Sequence, residues 1–317
     1  MPEVSVCIPV YGVEKYIERC ARSLFEQTMT DGIEFIFVND CTTDKSIEIL
    51  ERILAEYPGR QAQTKIIHHA TNKGLVAARN TGLAHATGDY IIHCDSDDWV
   101  DLNFYESLYK KAVETGADVV VAPYKREYEK ESAAEEPLEC DNIDEYIKKN
   151  DRKVYYLWSK LYKRQIALDK TLYCPEHIQV TEDILRNIQM LNLCQKISFV
   201  SGTYYHYYSN DSSLTNNFRE INFLNIKEMC NILRQKYGDK YPWIHIGMKR
   251  GILVRSMRYL CKYPALEALF IKEWQNTPLK EKIKIISIEE SLKAKAALFS
   301  ALFSARLTTS LLRHIMK

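Results

Sequence analysis

The stretch YIIHCDSDDWVD, residues 90–101, sets three aspartates directly behind an apolar run. Tyr90 to Cys94 reads as a buried strand, so Asp95, Asp97 and Asp98 stand where the chain leaves the core. Like charges this close repel, and the arrangement becomes favourable when a divalent cation sits among the oxygens, because hard cations take carboxylate and phosphate ligands. A solvated acidic turn that caps the helix beginning near Asp101 accounts for the same residues. An EF-hand is excluded, since the loop lacks glycine at its sixth position and the distal bidentate Glu. A phosphatase-type DxD would need its aspartate as a nucleophile, and nothing beside it supports that role. A second acidic pair, Glu182 and Asp183, opens TEDILRNIQML. There Thr181 is a suitable N-cap, and Ile184, Leu185, Ile188 and Leu191 form one apolar stripe. A carboxylate in a helix's first turn is stabilised in its ionised form, which favours an Asp183 that is available at neutral pH over one that is strongly basic. Complementing the helix dipole is also all that such a pair need do.

Strands alternating with helices must position these residues. Val4–Val10, Ile33–Val38, Lys65–Ile67 and Tyr90–Cys94 read as strands, with helical spacing over Val13–Gln27, Ser46–Glu56 and Leu75–Ala86 between them. Such alternation predicts parallel pairing in a doubly wound sheet. Ligands then bind beyond the carboxyl ends of the strands, where the loops read PVYG, NDCTTDKS, HHATNKG and DSDDW. A helix over 101–116 and a strand over Asp118–Ala122 follow, then the acidic, turn-rich EKESAAEEPLECDNIDE, which reads as a surface excursion. Lys196–Val200 and Thr203–Tyr208 look like short strands, and from about Ile221 the pattern is helical. The expected organisation is therefore a catalytic domain over 1–220 and a helical C-terminal extension over 221–317. Asp44 and Ser46 are expected to cap the second helix. His206, in the aromatic run TYYHYY, is expected to pack, and His68, His69 and His93 to be structural or loop residues.

Composition narrows the classes. Lys plus Arg is 43 and Asp plus Glu 42, so no global field favours nucleic acid. The nine cysteines are scattered singly with no CxxC pair, which argues against a disulfide framework and a structural zinc site and fits a reducing cytoplasm. The N-terminus lacks the basic region of a secretory signal, and no uninterrupted apolar segment of roughly 20 residues could span a bilayer. A soluble or peripheral protein is expected. The segment SLKAKAALFSALFSARLTTSLLRHIMK combines apolar residues with basic ones and has no acidic residue. Such a stretch can lie on an anionic membrane surface or pack as a helix on its own domain.

Several ordered motifs, VSVCIPVYGVEKYIERCARSLFEQT, FVNDCTTDKS, NKGLVAARNTGL, GDYIIHCDSDDW, WSKLYKR and TED, resemble the large family of bacterial inverting glycosyltransferases known as family two, over about the first two thirds of the chain. The resemblance implies a GT-A fold: a mixed, mostly parallel α/β sheet flanked by helices. It implies a nucleotide-sugar donor, typically a UDP-sugar, and a saccharide or lipid-linked acceptor, in assembly of a surface polysaccharide. It assigns Pro9, Val10 and Tyr11 to the base and ribose, Asp40 to the base edge, and Arg79 and Ser96 to the nucleotide. Asp95 and Asp97 become the DxD pair that holds Mn2+ or Mg2+ against the diphosphate, and Asp183 the base that deprotonates the acceptor hydroxyl. Trp158 and Lys160 fall where the family often has an aromatic and a basic residue near the acceptor or diphosphate; packing and surface charge account for them equally. The chain departs from the family at NDCT, where DDGS is usual, which leaves the geometry of that turn open. A sugar-phosphate nucleotidylyltransferase would share the architecture but needs a glycine-rich, basic phosphate loop after the first strand, and PVYGVEKY has one Gly and one Lys. An inactive nucleotide-sugar-binding module would break the DxD or TED motif, and both are intact.

Overall fold

The computed structural model describes residues 2–129, 131–149, 154–209, 218–238, 240–259, 262–306, 308, 309 and 312. The chain divides into two units, Met1–Asn210 and Asp211–Lys317, ten residues before the boundary drawn from the sequence pattern.

The first unit runs β1 (Val4–Val10), α1 (Ile17–Phe25), β2 (Ile33–Asn39), α2 (Ser46–Glu56), α3 (Pro58–Gln61), β3 (Thr64–His68), α4 (Leu75–His85), β4 (Tyr90–His93), β5 (Trp99–Val100) and α5 (Phe104–Thr115). It continues with β6 (Val119–Val121), β7 (Tyr124–Glu127), β8 (Ser132–Glu135), α6 (Ile143–Lys149), β9 (Lys160–Lys163), α7 (Arg164–Ala167), α8 (Glu182–Leu193), β10 (Ile197–Phe199) and β11 (Tyr205–Tyr208). Seven strands form the main sheet in the order β10-β6-β9-β4-β1-β2-β3. β1 is buried along its whole length, as a central strand covered on both faces must be. β1 pairs in parallel with β2 and β4, β2 with β3, and β6 with β10. The exception is β9, which runs antiparallel between β4 and β6, so the sheet is mixed and mostly parallel.

Of a second sheet, β5-β11-β7-β8, the sequence pattern showed only β11, within the short strand expected over Thr203–Tyr208. Its strands are two to four residues long, too short for a period-2 signal. The acidic stretch read as a surface excursion supplies β8, paired antiparallel with β7, and the start of α6. Aromatic rings pack beside this sheet: Trp158 stacks on Tyr156 and Tyr205 at centroid distances of 4.6 and 4.4 Å. His206 is likewise packed, stacked on Trp99 at 4.9 Å with its nitrogens 2.7 Å from Glu127 Oε1 and 2.9 Å from Asp101 Oδ1.

The second unit is helical: α9 (Glu220–Tyr237), α10 (Pro242–Tyr259), α11 (Ala265–Asn276), α12 (Leu279–Ile288) and α13 (Leu292–Ala301). Pro264 and Pro278 stand at the N-caps of α11 and α12, where a missing N–H costs nothing. Phe223, Met229, Leu253, Leu266, Phe270 and Trp274 are buried in this unit, and Trp274 Nε1 donates to the carbonyl of Ala301 at 2.9 Å.

Candidate active site

The carboxyl ends of β1, β2 and β4 are knitted together by short polar contacts. Asp40, just after β2, donates its backbone N–H to Val10 O at 3.0 Å, and Ser96 Oγ donates to Pro9 O at 2.7 Å. Among the residues expected to line a nucleotide, Pro9, Val10 and Ser96 are buried, and the Ser96 hydroxyl is engaged with the Pro9 carbonyl. Tyr11 alone of that group is open, 54% exposed. Asp40 is buried as well. Its Oδ1 accepts from His69 Nδ1 and the Lys73 amide at 2.7 and 2.8 Å, and Oδ2 from the Gly74 amide at 2.7 Å. The carboxylate thereby pins the loop that leads into α4 and keeps one acceptor position of about four. The turn behind it departs from the family at Cys41, which adopts φ 56°, the left-handed region where glycine fits without strain. The fold thus keeps the turn that a glycine would make and places a cysteine in it. Asp44 accepts from the Ser46 amide at 3.1 Å at the start of α2 and from the Glu14 amide at 3.0 Å, so it both serves the helix and ties down the first loop.

Asp95 and Asp97 follow β4 in a turn closed by the Asp98 amide on Asp95 O at 3.1 Å. Both are partly buried, with the Asp95 side chain 26% exposed. Asp98 is fully buried: its carboxylate accepts from Tyr205 O–H at 2.7 Å and the Tyr208 amide at 2.8 Å. It anchors β11 and does not cap α5, whose N-cap is Asn103. Burial, with Asp97 and Asp95 nearby, pushes its carboxyl well above the ordinary range.

Arg79 joins the two acidic motifs. It lies on α4, the one charged residue in LVAARNTGLAH, and is buried. One guanidinium nitrogen donates to Asp95 Oδ1 at 2.7 Å and another to Glu182 Oε1. Burial works against its charge, but Glu182, Asp95 and Asp183 outweigh that and hold the guanidinium protonated. Expected to help hold the nucleotide, Arg79 is here paired with carboxylates 16 and 103 residues away. Glu182 was overlooked as a site residue. The sequence offered only a lone charged residue among small and apolar ones in LVAARNTGLAH, which needs an anionic partner once it is buried.

At the start of α8, Thr181 has φ 70° and its side chain makes no capping bond. The expected N-cap is instead a strained β-branched residue in the left-handed region. Glu182 is pushed up to about 7 by burial against Arg79, and Asp183 up to about 6, with burial foremost and Arg79 and the Ile184 amide opposing. Burial therefore outweighs the helix N-terminus, and Asp183 is more basic than its position in the first turn implied. Lys160, at the head of β9, is buried, donates to Tyr156 O at 2.6 Å, and is brought down to about 7 by burial, against the pull of Asp183. Beneath these groups, Glu182 Oε2, Arg79 Nε, Arg186 Nε and both ring nitrogens of His93 are buried without a hydrogen-bond partner.

Among the described residues no three His, Cys, Asp or Glu side chains gather as a self-contained cation site. Two carboxylates flanking one residue suit a different case, an ion such as Mg2+ held by one or two protein carboxylates and completed by substrate phosphates. The donor set fits a metal that arrives with a diphosphate.

The sequence matches the model for glycosyl transferase family 2 over residues 5–180. It is 34% identical over 273 residues to the uncharacterized glycosyltransferase EpsJ of Bacillus subtilis, covering 83% of this chain and 76% of that one. TarS of Staphylococcus aureus, a poly(ribitol-phosphate) beta-N-acetylglucosaminyltransferase, is 27% identical over 210 residues, 65% of this chain and 35% of TarS. The structure of TarS residues 1–349 in complex with UDP-GlcNAc superposes with a TM-score of 0.71 at 19% identity, over 99% of this chain and 91% of that one. A mannosyltransferase from Pyrobaculum calidifontis, in complex with GDP-Man and Mn2+, superposes with a TM-score of 0.56 at 14% identity, over 99% and 85%. These likenesses carry the fold, GT-A with C-terminal helices, and the sequence match carries the family. With an α/β sheet whose loops converge on two acidic motifs, this chain belongs to glycosyl transferase family 2 and is a glycosyltransferase.

Proposed function

We propose that the chain transfers a hexosyl or N-acetylhexosaminyl group, with inversion and with a divalent metal, from a UDP-sugar to a hydroxyl of a saccharide or lipid-linked saccharide. The observation that carries the reading is the Arg79 bridge. By holding Asp95 and Glu182 at once, it sets the TED helix against the DxD loop, so that Asp183 stands beside the place where a diphosphate and its sugar would lie.

Asp95 and Asp97 would hold Mn2+ or Mg2+. When bound, such an ion supplies Lewis-acid stabilisation of the departing nucleoside diphosphate. Tyr11 offers an open ring to the base, and Asp40 keeps one acceptor position for a base N–H. Asp183 takes the proton of the acceptor hydroxyl, and a value near 6 leaves it mostly ionised at neutral pH and close to the range where a general base is most effective. Retention through a covalent intermediate would need a second, free carboxylate as nucleophile. Glu182 is tied to Arg79, which favours single displacement. UDP is supported by TarS, whose structure holds UDP-GlcNAc, and the metal by the mannosyltransferase with Mn2+. A cytoplasmic setting, in surface polysaccharide synthesis, is supported by the free cysteines among the described residues and by a relative that acts on poly(ribitol phosphate).

The test is Asp183→Asn, assayed for transfer and, by thermal shift with UDP and manganese, for donor binding. Transfer should vanish with donor binding intact. Retained transfer, or lost donor binding with transfer kept, contradicts the assignment.

A further inference from the structure

The apolar surface of the helical unit does not all turn inward. On α13 Leu298 and Ala301 are buried, while Leu292, Ala296 and Phe299 are exposed at the i, i+4, i+7 spacing of one helical stripe, and Phe303, in the turn just past the helix, is exposed as well. Leu292 is 82%, Phe299 55% and Phe303 81% exposed, and the two rings meet edge to face at 5.8 Å. On the neighbouring α12, Ile285 is buried while Leu279 and Ile283 are exposed. Lone exposed apolar residues are ordinary, but several on two helices packed against each other mark an interaction surface.

The exposed charges on these two helices and the turn after them are mostly positive. Lys280, Lys284, Lys293 and Arg306 are exposed, and Lys282 and Lys295 partly so. Of the acidic residues between 279 and 306, Glu281 is paired with Lys249 at 2.8 Å and Glu289 with Arg250 at 3.8 Å, which leaves Glu290 exposed. We propose that this face lies on an anionic lipid surface, with the apolar stripe entering the headgroup boundary and the lysines meeting the phosphates. A second copy is a poorer occupant, because a two-fold contact through this face would set lysines against lysines. No described helix is long and apolar enough to cross a membrane, so the contact is peripheral. It extends the segment read from the sequence to α12. Positions 307, 310, 311 and 313–317 of that segment lie outside the described residues and carry no part of the argument.

The proposal is tested with the full chain by co-sedimentation with vesicles of phosphatidylcholine and of phosphatidylcholine mixed with phosphatidylglycerol, a readout independent of catalysis and hence of the reading above. Binding should require phosphatidylglycerol and weaken as salt is raised. The pair Phe299→Ser and Phe303→Ser should weaken it by about tenfold or more. The triple Lys280→Glu, Lys284→Glu, Lys293→Glu at exposed positions should abolish it, and serves alone if the aromatic pair lowers the melting temperature. No sedimentation with anionic vesicles, or binding unchanged in the lysine triple, overturns the proposal. So does a concentration-dependent dimer that the aromatic pair dissolves in a protein that ignores lipid.

Discussion

Glu34 and Glu182 are both almost wholly buried in the first unit, yet one carboxyl is pulled down to about 2 and the other pushed up to about 7. They belong to opposite edges of one sheet. Glu34 sits where β1 and β2 begin. Burial there works to raise it, but Lys65 Nζ, Ser5 Oγ and the amide and hydroxyl of Thr87 all donate to it, at 2.6 to 2.8 Å, and they win. Glu182 sits beyond the other edge, with Arg79 on one oxygen and no partner on the second. A carboxylate saturated with donors holds strands together. Carboxylates given less than full compensation titrate near neutrality, and such groups mark functional sites.

Breaking the functional side should show the largest effect. Asp183→Asn should lower the transfer rate by about 100- to 10,000-fold, the usual worth of a general base, and in the parent enzyme kcat/KM should fall as pH drops through about 6. Next, Arg79→Met removes the cation between Asp95 and Glu182 and should cost about 3–5 kcal/mol in urea unfolding, as breaking a buried pair does; adding Glu182→Gln should recover part of that loss. Glu34→Gln should destabilise by about 1–3 kcal/mol with the rate unchanged. The two edges should also respond to pH with opposite sign. Glu34, depressed when folded, contributes stability above the ordinary carboxylate range that is lost as pH falls toward 2, so the penalty of Glu34→Gln should close in acid. Asp183, raised when folded, contributes most below that range and loses it as pH rises through 6, so Asp183→Asn should melt above the parent in neutral buffer. The smallest effect is expected at Cys41→Gly, which relieves a left-handed residue and should stabilise by at most about 1 kcal/mol.

What could be seen in the sequence was local. β1, β2 and β4, the helices between them, and the DxD and TED stretches each announce themselves within a dozen residues, through periodicity or an acidic cluster at a strand's end. What stayed hidden depends on partners far along the chain. Nothing near Arg79 says that it spans from Asp95 to Glu182. Nothing near Thr181 reveals a positive φ that removes its hydroxyl from capping. The basicity of Asp183 was misjudged because the helix dipole can be read from its position, while burial cannot. β9 and, in the small second sheet, β5, β7 and β8 were missed because strands of two to four residues leave no periodic trace.

The reversed strand β9 has a consequence for how this enzyme can diversify. Because it runs against β4 and β6, its first residue, Lys160, arrives at the edge where the loops converge, and its last, Lys163, reaches Asp118 at the far edge, 2.8 Å away. Four residues thereby run from one end of the sheet to the other, held at both ends. A single residue inserted within it would turn every side chain beyond the insertion to the other face of the sheet.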